Sequence, residues 1–289
     1  MSIEQRMIKV NGVELCTESF GRSGHPAILL IHGAGHSLLA WEEDFVLRLV
    51  AGGRRVIRYD NRDAGLSTHY PAGAPPYGLR DLTADAAALI DALGLVSAHV
   101  VGMSQGGAVG QLLALDHPGR VASLTLASAT PGVPGQEQPD LPPMSAGLQA
   151  LFTEEAPEPD WSDRAGVIDH LVEAERPFAA ASRPFDEAGM RAMATRVAGR
   201  TANLAAQLAN PFLIDAGEPW RDRLGQITAP TLVLHGTEDP MFPIEHGRAL
   251  AAEIPGARFV AMERTGHEVF PRAQWDTVVP AILEHTEPR

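Results

Sequence analysis

The chain has 289 residues, 45% of them hydrophobic and 20% charged, which is a composition for a folded core and not for a disordered segment. Its formal net charge of -13 repels phosphate backbones and argues against a nucleic-acid partner. Cys16 is the only cysteine, so no intrachain disulfide can form. No apolar run reaches the ~18 residues of a membrane span, and Met1 to Val10 lacks the basic-then-apolar pattern of a secretory leader. A cytoplasmic protein with no membrane association is expected.

In chain order, Val13 to Phe20 alternates apolar and polar residues and reads as an antiparallel edge strand. Ala27 to Ile31 is a continuous apolar run, as expected of a strand covered on both faces. Further strands are expected at Arg55 to Tyr59, Ser97 to Gly102, Val121 to Ala127, Thr231 to His235 and Arg258 to Met262. Helical patterns fall between them at Glu42 to Ala51, Asp81 to Leu93, Gln105 to Asp116, Glu245 to Ala252 and Ala273 to His285. Alternating strands and helices predict an α/β fold, a mostly parallel central sheet flanked by helices.

Between residues 131 and 224 the rhythm breaks. Pro131, Pro134, Pro139, Pro142 and Pro143 open an irregular stretch. Helix-length patterns follow near Leu148 to Phe152, Ala165 to Ala174, Asp186 to Ala198 and Ala202 to Leu208. This reads as a helical insertion, a cap over residues 131–224, on a core made of residues 1–130 and 225–289. The acidic cluster Glu154, Glu155, Glu158 and Asp160 reads as a solvated face. Of the large apolar residues of the insertion, such as Leu148, Phe152, Phe178, Phe212 and Trp220, most are expected to pack it onto the core and some to line a hydrophobic pocket.

The segment His99-Val100-Val101-Gly102-Met103-Ser104-Gln105-Gly106-Gly107 carries the chemistry. A buried strand enters a G-x-S-x-G pattern and a helix leaves it, which is the context of a nucleophile elbow. The sharp turn exposes Oγ of Ser104, and glycine is needed on either side because side chains there would strike the neighbouring strand and helix. The Gln105 N–H lies at a helix N-terminus, where partial positive charge stabilises an oxyanion. A serine hydroxyl needs an imidazole base, and the base needs an acid that fixes its tautomer.

Behind such an elbow the chain order is serine, acid, histidine. His267 follows Thr265-Gly266 directly after a strand, at the sheet edge where catalytic groups of parallel sheets gather. His235 and His32 are rivals by strand proximity. His235 precedes the candidate acid, however, and His32 sits in a turn where a structural role fits. The acid is expected after the strand Thr231 to His235, in Gly236-Thr237-Glu238-Asp239-Pro240. Asp239, biased to an extended conformation by Pro240, is preferred to Glu238. The other position open to an acid, Ala127-Ser128-Ala129-Thr130, offers no carboxylate. The loop His32-Gly33-Ala34-Gly35 supplies the second oxyanion donor, the N–H of Ala34 or, one residue on, that of Gly35.

With these residues in place, the chain resembles the α/β-hydrolase superfamily over nearly its whole length. Within it, Tyr59-Asp60-Asn61-Arg62-Asp63-Ala64-Gly65-Leu66-Ser67-Thr68 is similar to a loop of the anthracycline methyl esterases. So are Pro76-Tyr77-Gly78, His99 to Gly102, Ala114-Leu115-Asp116-His117 and His246-Gly247. The resemblance implies cleavage of a methyl ester on an aromatic polyketide and the same triad, Ser104, Asp239 and His267. Gln105 departs from a methionine of that family, and His32 from its oxyanion loop, while the cap shows no match. Arg62 and Asp63 belong to a loop shared by many capped hydrolases and read as structural.

The expected function is hydrolysis of a hydrophobic carboxylic ester through an acyl-enzyme, with no metal and no cofactor. The same apparatus also serves lactonases, cofactor-free haloperoxidases, proline iminopeptidases and carbon–carbon bond hydrolases. A non-catalytic small-molecule binding protein on this fold is the alternative of a different class.

Overall fold

The computed structural model describes residues 3–133, 138–153 and 158–287. Pro134, Glu154 and Glu155, three of the residues singled out above, lie outside them. The strands are β1 (Glu4–Val10), β2 (Val13–Phe20), β3 (Ala27–Ile31), β4 (Arg55–Tyr59), β5 (Ala98–Met103), β6 (Val121–Ala127), β7 (Thr231–Gly236) and β8 (Arg258–Met262). They form one sheet in the order β1-β2-β4-β3-β5-β6-β7-β8. From β4 to β8 neighbouring strands are parallel, whereas β2 is antiparallel to both β1 and β4.

One expectation is corrected. Val13 to Phe20 does form a strand, but it is not the sheet's edge; β1 covers it. β1 escapes a pattern reading because four of its seven residues, Glu4 to Met7, are exposed in a row. Its pairing comes from the turn at Asn11 and Gly12, both at positive φ.

Alternate residues of the central strands feed two cores. Leu29, Ile31, Ile57, Val100, Leu124 and Val233 pack on one face with α2 (Leu79–Ala92), α3 (Gln105–Asp116) and α8 (Ile244–Glu253). Ile28, Leu30, Val56, Val101, Leu232 and Leu234 pack on the other with α1 (Glu43–Ala51) and α9 (Trp275–His285). This explains the unbroken apolar run of β3, whose five residues are all buried.

Between β6 and β7 the described residues contain helices and no strand: α4 (Ala146–Thr153), α5 (Arg164–Glu175), α6 (Glu187–Arg200) and α7 (Leu204–Ala209). Three of these helices begin on a side-chain cap. Asp163 accepts from the Ala165 N–H, Asp186 from Gly189 and Asn203 from Ala206. The segment is tied to the rest of the molecule by polar contacts as well as by packing. Arg200 at the end of α6 reaches 2.7 Å from Asp60, and Gln207 joins the Gly35 carbonyl to the Gly65 N–H. Trp220 is fully buried and donates to Gln111 of α3. Among the described residues no helix is long and apolar enough to cross a membrane.

Candidate active site

Ser104 stands between β5 and α3 with φ 53° and ψ -117°, a left-handed conformation that an L-residue holds only when its surroundings enforce it. They do so here by close packing. A Cβ on Gly102 would lie 2.1 Å from the Gly106 carbonyl oxygen, and one on Gly106 would lie 2.2 Å from that of Ile31. Only glycine lets the turn nest this tightly against β3. The Ser104 N–H is held by the Ala127 carbonyl at 3.0 Å, and its carbonyl accepts from Gly107 and Ala108. Its hydroxyl makes no hydrogen bond to the described residues, and the residue is half-buried.

Asp239 and His267 meet directly. His267 Nδ1 lies 2.9 Å from Oδ2 of Asp239 and 3.1 Å from Oδ1. Both residues are buried. Oδ1 also accepts the N–H groups of Met241 and Phe242 at 2.9 and 2.8 Å. Burial pushes the Asp239 carboxyl up, but the charge and hydrogen bond of His267, with help from His235 and the Phe242 N–H, hold it below the usual carboxylate range. Nδ1 of His267 therefore carries a proton toward the carboxylate and leaves Nε2 as the basic atom. The rings of Phe178 and Phe242 lie 6.1 and 5.3 Å from the imidazole, the first tilted and the second edge-on to it.

Glu238, the other candidate acid, turns to the surface, where its carboxylate accepts from the Ser182 N–H and hydroxyl. His235 is fully buried beneath the acid loop. Its Nε2 donates to the Phe242 carbonyl at 2.7 Å and lies 3.7 Å from Asp239. Burial drives its pKa down, so it is a neutral brace for residues 237–242. His32 is a brace of the same kind. Nδ1 donates to the Gly33 carbonyl, Nε2 accepts from the Asn61 N–H, and burial lowers its pKa to about 4. Arg62 and Asp63 also have structural partners. Arg62 makes a paired bond to Asp85, and Asp63 accepts from Tyr77 and Asn210.

Of the two expected oxyanion donors, Ala34 lies in the loop after β3 and Gln105 is the first residue of α3. Neither the Ala34 nor the Gln105 N–H is taken by an acceptor among the described residues, and Gln105 opens α3 with the helix's partial positive charge behind it. A Cβ position on Gly33 lies 3.3 Å from Ser104 Cβ, which sets the loop against the nucleophile. The Gln105 side chain reaches away to the Pro211 carbonyl.

Sequence reasoning missed three features of this region. The Phe178 carbonyl accepts the His267 N–H at 2.8 Å, so the segment between β6 and β7 touches the histidine's own backbone. Arg183 grips Glu268, the residue after His267, through both carboxylate oxygens at 2.6 Å. His36 pairs with Glu175. None of them has a local signature, because each joins residues far apart in the chain. Among the described residues no group of three His, Cys, Asp or Glu side chains converges to hold a metal ion.

A family model described as alpha/beta hydrolase fold matches residues 26–273. The chain is 34% identical to rhodomycin D methylesterase DauP of Streptomyces sp. (strain C5) and 35% identical to rhodomycin D methylesterase DnrP of Streptomyces peucetius, with 97% of each chain covered in both cases. Among solved structures it is similar to the enol-lactonase from Burkholderia xenovorans LB400, with a TM-score of 0.73 and 26% identity over 97% of this chain and 99% of that one.

Proposed function

The chain belongs to the α/β hydrolase fold family, and from that membership we propose that it is a cytoplasmic serine esterase that cleaves a methyl ester on a hydrophobic, aromatic polyketide-type substrate. The observation that carries the reaction class is the buried Asp239–His267 pair, presented at the same sheet edge as the strained Ser104. The full-length similarity to two rhodomycin D methylesterases supports the substrate class.

In this reading His267 Nε2 removes the Ser104 proton as Oγ attacks the ester carbonyl. Asp239 keeps the proton on Nδ1 and stabilises the imidazolium. The N–H groups of Ala34 and Gln105 take the negative oxygen, and the helix behind Gln105 adds its field. His267 then protonates the departing alkoxide, releasing methanol. A water deprotonated by the same imidazole cleaves the acyl-enzyme to the acid and regenerates Ser104. Residues 131–224 act as a cap on the core of residues 1–130 and 225–289 and shape the acyl pocket. Phe152, Phe178 and Phe212 form a ring cluster beside His267 and Gly35, which suits a flat aromatic acyl group.

The test is methanol release from aromatic polyketide methyl esters, together with active-site labelling by a fluorophosphonate. The wild type should do both, and Ser104→Ala should lose labelling and several orders of magnitude in turnover. A Ser104→Ala variant that retains ester turnover would overturn the mechanism. A wild type that neither labels nor turns over esters would favour a binding protein.

A further inference from the structure

The next inference rests on the esterase reading and concerns what else the substrate carries. The loop after β3 ends in His36, and α5 ends in Glu175. His36 Nε2 lies 3.1 Å from Glu175 Oε1, joining residues 139 positions apart. Two observations set the pair beside the candidate active site. A Cβ position on Gly33 lies 3.3 Å from Ser104 Cβ and 3.5 Å from His36 Nδ1, so serine and imidazole flank the same glycine. The charge of His267 acts on the Glu175 carboxyl. Burial is the largest influence on both Glu175 and His36, yet 33% and 28% of their side chains remain accessible. Both groups are therefore partly open to a ligand.

A carboxyl in such a place ought to be neutral. Burial does push Glu175 up, but the charge and hydrogen bond of His36 bring it below its usual range, and Glu175 in turn holds His36 above its own. The pair is ionic. His36 occupies Oε1 only. Oε2 makes no hydrogen bond to the described residues, although a carboxylate offers about four acceptor sites. An apolar ligand covering this oxygen would leave a charged acceptor without a partner, which is unfavourable. A ligand with a donor in the right place would satisfy it. Because His36 already balances the charge, a neutral O–H suits the site better than a second cation.

We propose that Glu175, held by His36, is a specificity-determining acceptor that takes a hydroxyl or phenol O–H on the acyl part of the ester.

The experiment uses hydroxynaphthoate methyl esters carrying the hydroxyl at different ring positions. Each is paired with its own methyl ether and with the corresponding aminomethyl ester. For at least one position the wild type should favour the hydroxy ester over its ether by about tenfold or more in kcat/KM. In Glu175→Leu that ratio should fall to near one. Glu175→Gln has the same shape without the charge and should lower the ratio too; it decides the matter if the leucine variant does not fold. The ratio cancels any general loss of activity, so a merely structural role would leave it unchanged. The proposal is overturned if no hydroxy ester is preferred, if the preference survives in both variants, or if the aminomethyl esters are preferred. Fluorophosphonate labelling and turnover of the ethers separate its failure from that of the esterase reading. An enzyme that labels and cleaves all members equally keeps its esterase function and loses only this subsite.

Discussion

The main-chain N–H of His267 donates to the carbonyl of Phe178 at 2.8 Å. The loop that carries the candidate base is therefore hydrogen-bonded to the segment between β6 and β7. The contact is close because a Cβ on Gly266 would stand 2.2 Å from that same carbonyl oxygen. The neighbouring ion pair of Arg183 with Glu268 strengthens the junction, since both partners are only about a fifth exposed, at 21% each.

Gly266→Ala is expected to push the two segments apart, because the atoms in the way are backbone and cannot rotate aside. A displacement of His267 by an ångström should lower kcat by about 10²-fold. Steady-state kinetics on an activated ester, with a thermal melt to confirm folding, check this. Unchanged kcat would mean that the junction does not position the base.

Asp239→Asn removes the acceptor that keeps the proton on His267 Nδ1 and is expected to lower kcat by about 10⁴-fold. Glu238→Gln should stay close to wild type, since that carboxylate is bound to Ser182 at the surface. Parallel kinetics on the two variants discriminate the neighbouring carboxylates. The opposite ranking would reverse the assignment of the acid.

Arg200→Met should destabilise the fold by about 3 kcal/mol, because it leaves the fully buried Asp60 without its cationic partner. Burial already raises the Asp60 pKa against the pull of Arg200 and of the Leu38 and Leu66 N–H groups, so in the variant this carboxyl should take up a proton. Urea unfolding measures the loss. The double variant Asp60→Asn with Arg200→Met should recover part of it, as expected for coupled sites. Strictly additive losses would show that the two residues do not interact.

The His36–Glu175 pair gives stability a defined pH window. Burial lowers the His36 pKa, but the charge and hydrogen bond of Glu175 outweigh it, so the folded value lies above 6.5. A raised pKa stabilises fully below 6.5, and that contribution is lost as pH rises through the folded value. For Glu175 burial raises the pKa and His36 outweighs it, so the folded value lies below 4.5. Its contribution is present above 4.5 and lost as pH falls through the folded value. The difference in melting temperature between wild type and His36→Asn should be largest between about pH 4.5 and 6.5 and shrink on either side. A difference independent of pH would show that the pair is not ionic.

What the amino-acid sequence determined by itself is whatever short-range sterics dictate. Gly102, Ser104 and Gly106 can turn from strand to helix in one way only, and the apolar run Ala27 to Ile31 can only be a strand covered on both faces. That Ser104, Asp239 and His267 each follow the C-terminal end of a strand was also legible, because the strands' own residues announce them. β1 was not legible, because a polar strand over Glu4 to Met7 owes its place to pairing with β2 rather than to its own pattern. Nor were the contacts of His36 with Glu175, Arg200 with Asp60, and Phe178 with His267. Each joins the segment between β6 and β7 to the sheet edge across a long stretch of chain. An isolated histidine or glutamate carries no mark of its partner. Only tertiary packing removes water from both, and that desolvation makes the pairing matter. The elbow is thus a local property of nine residues, whereas the polar surroundings of Ser104 are a property of the whole fold.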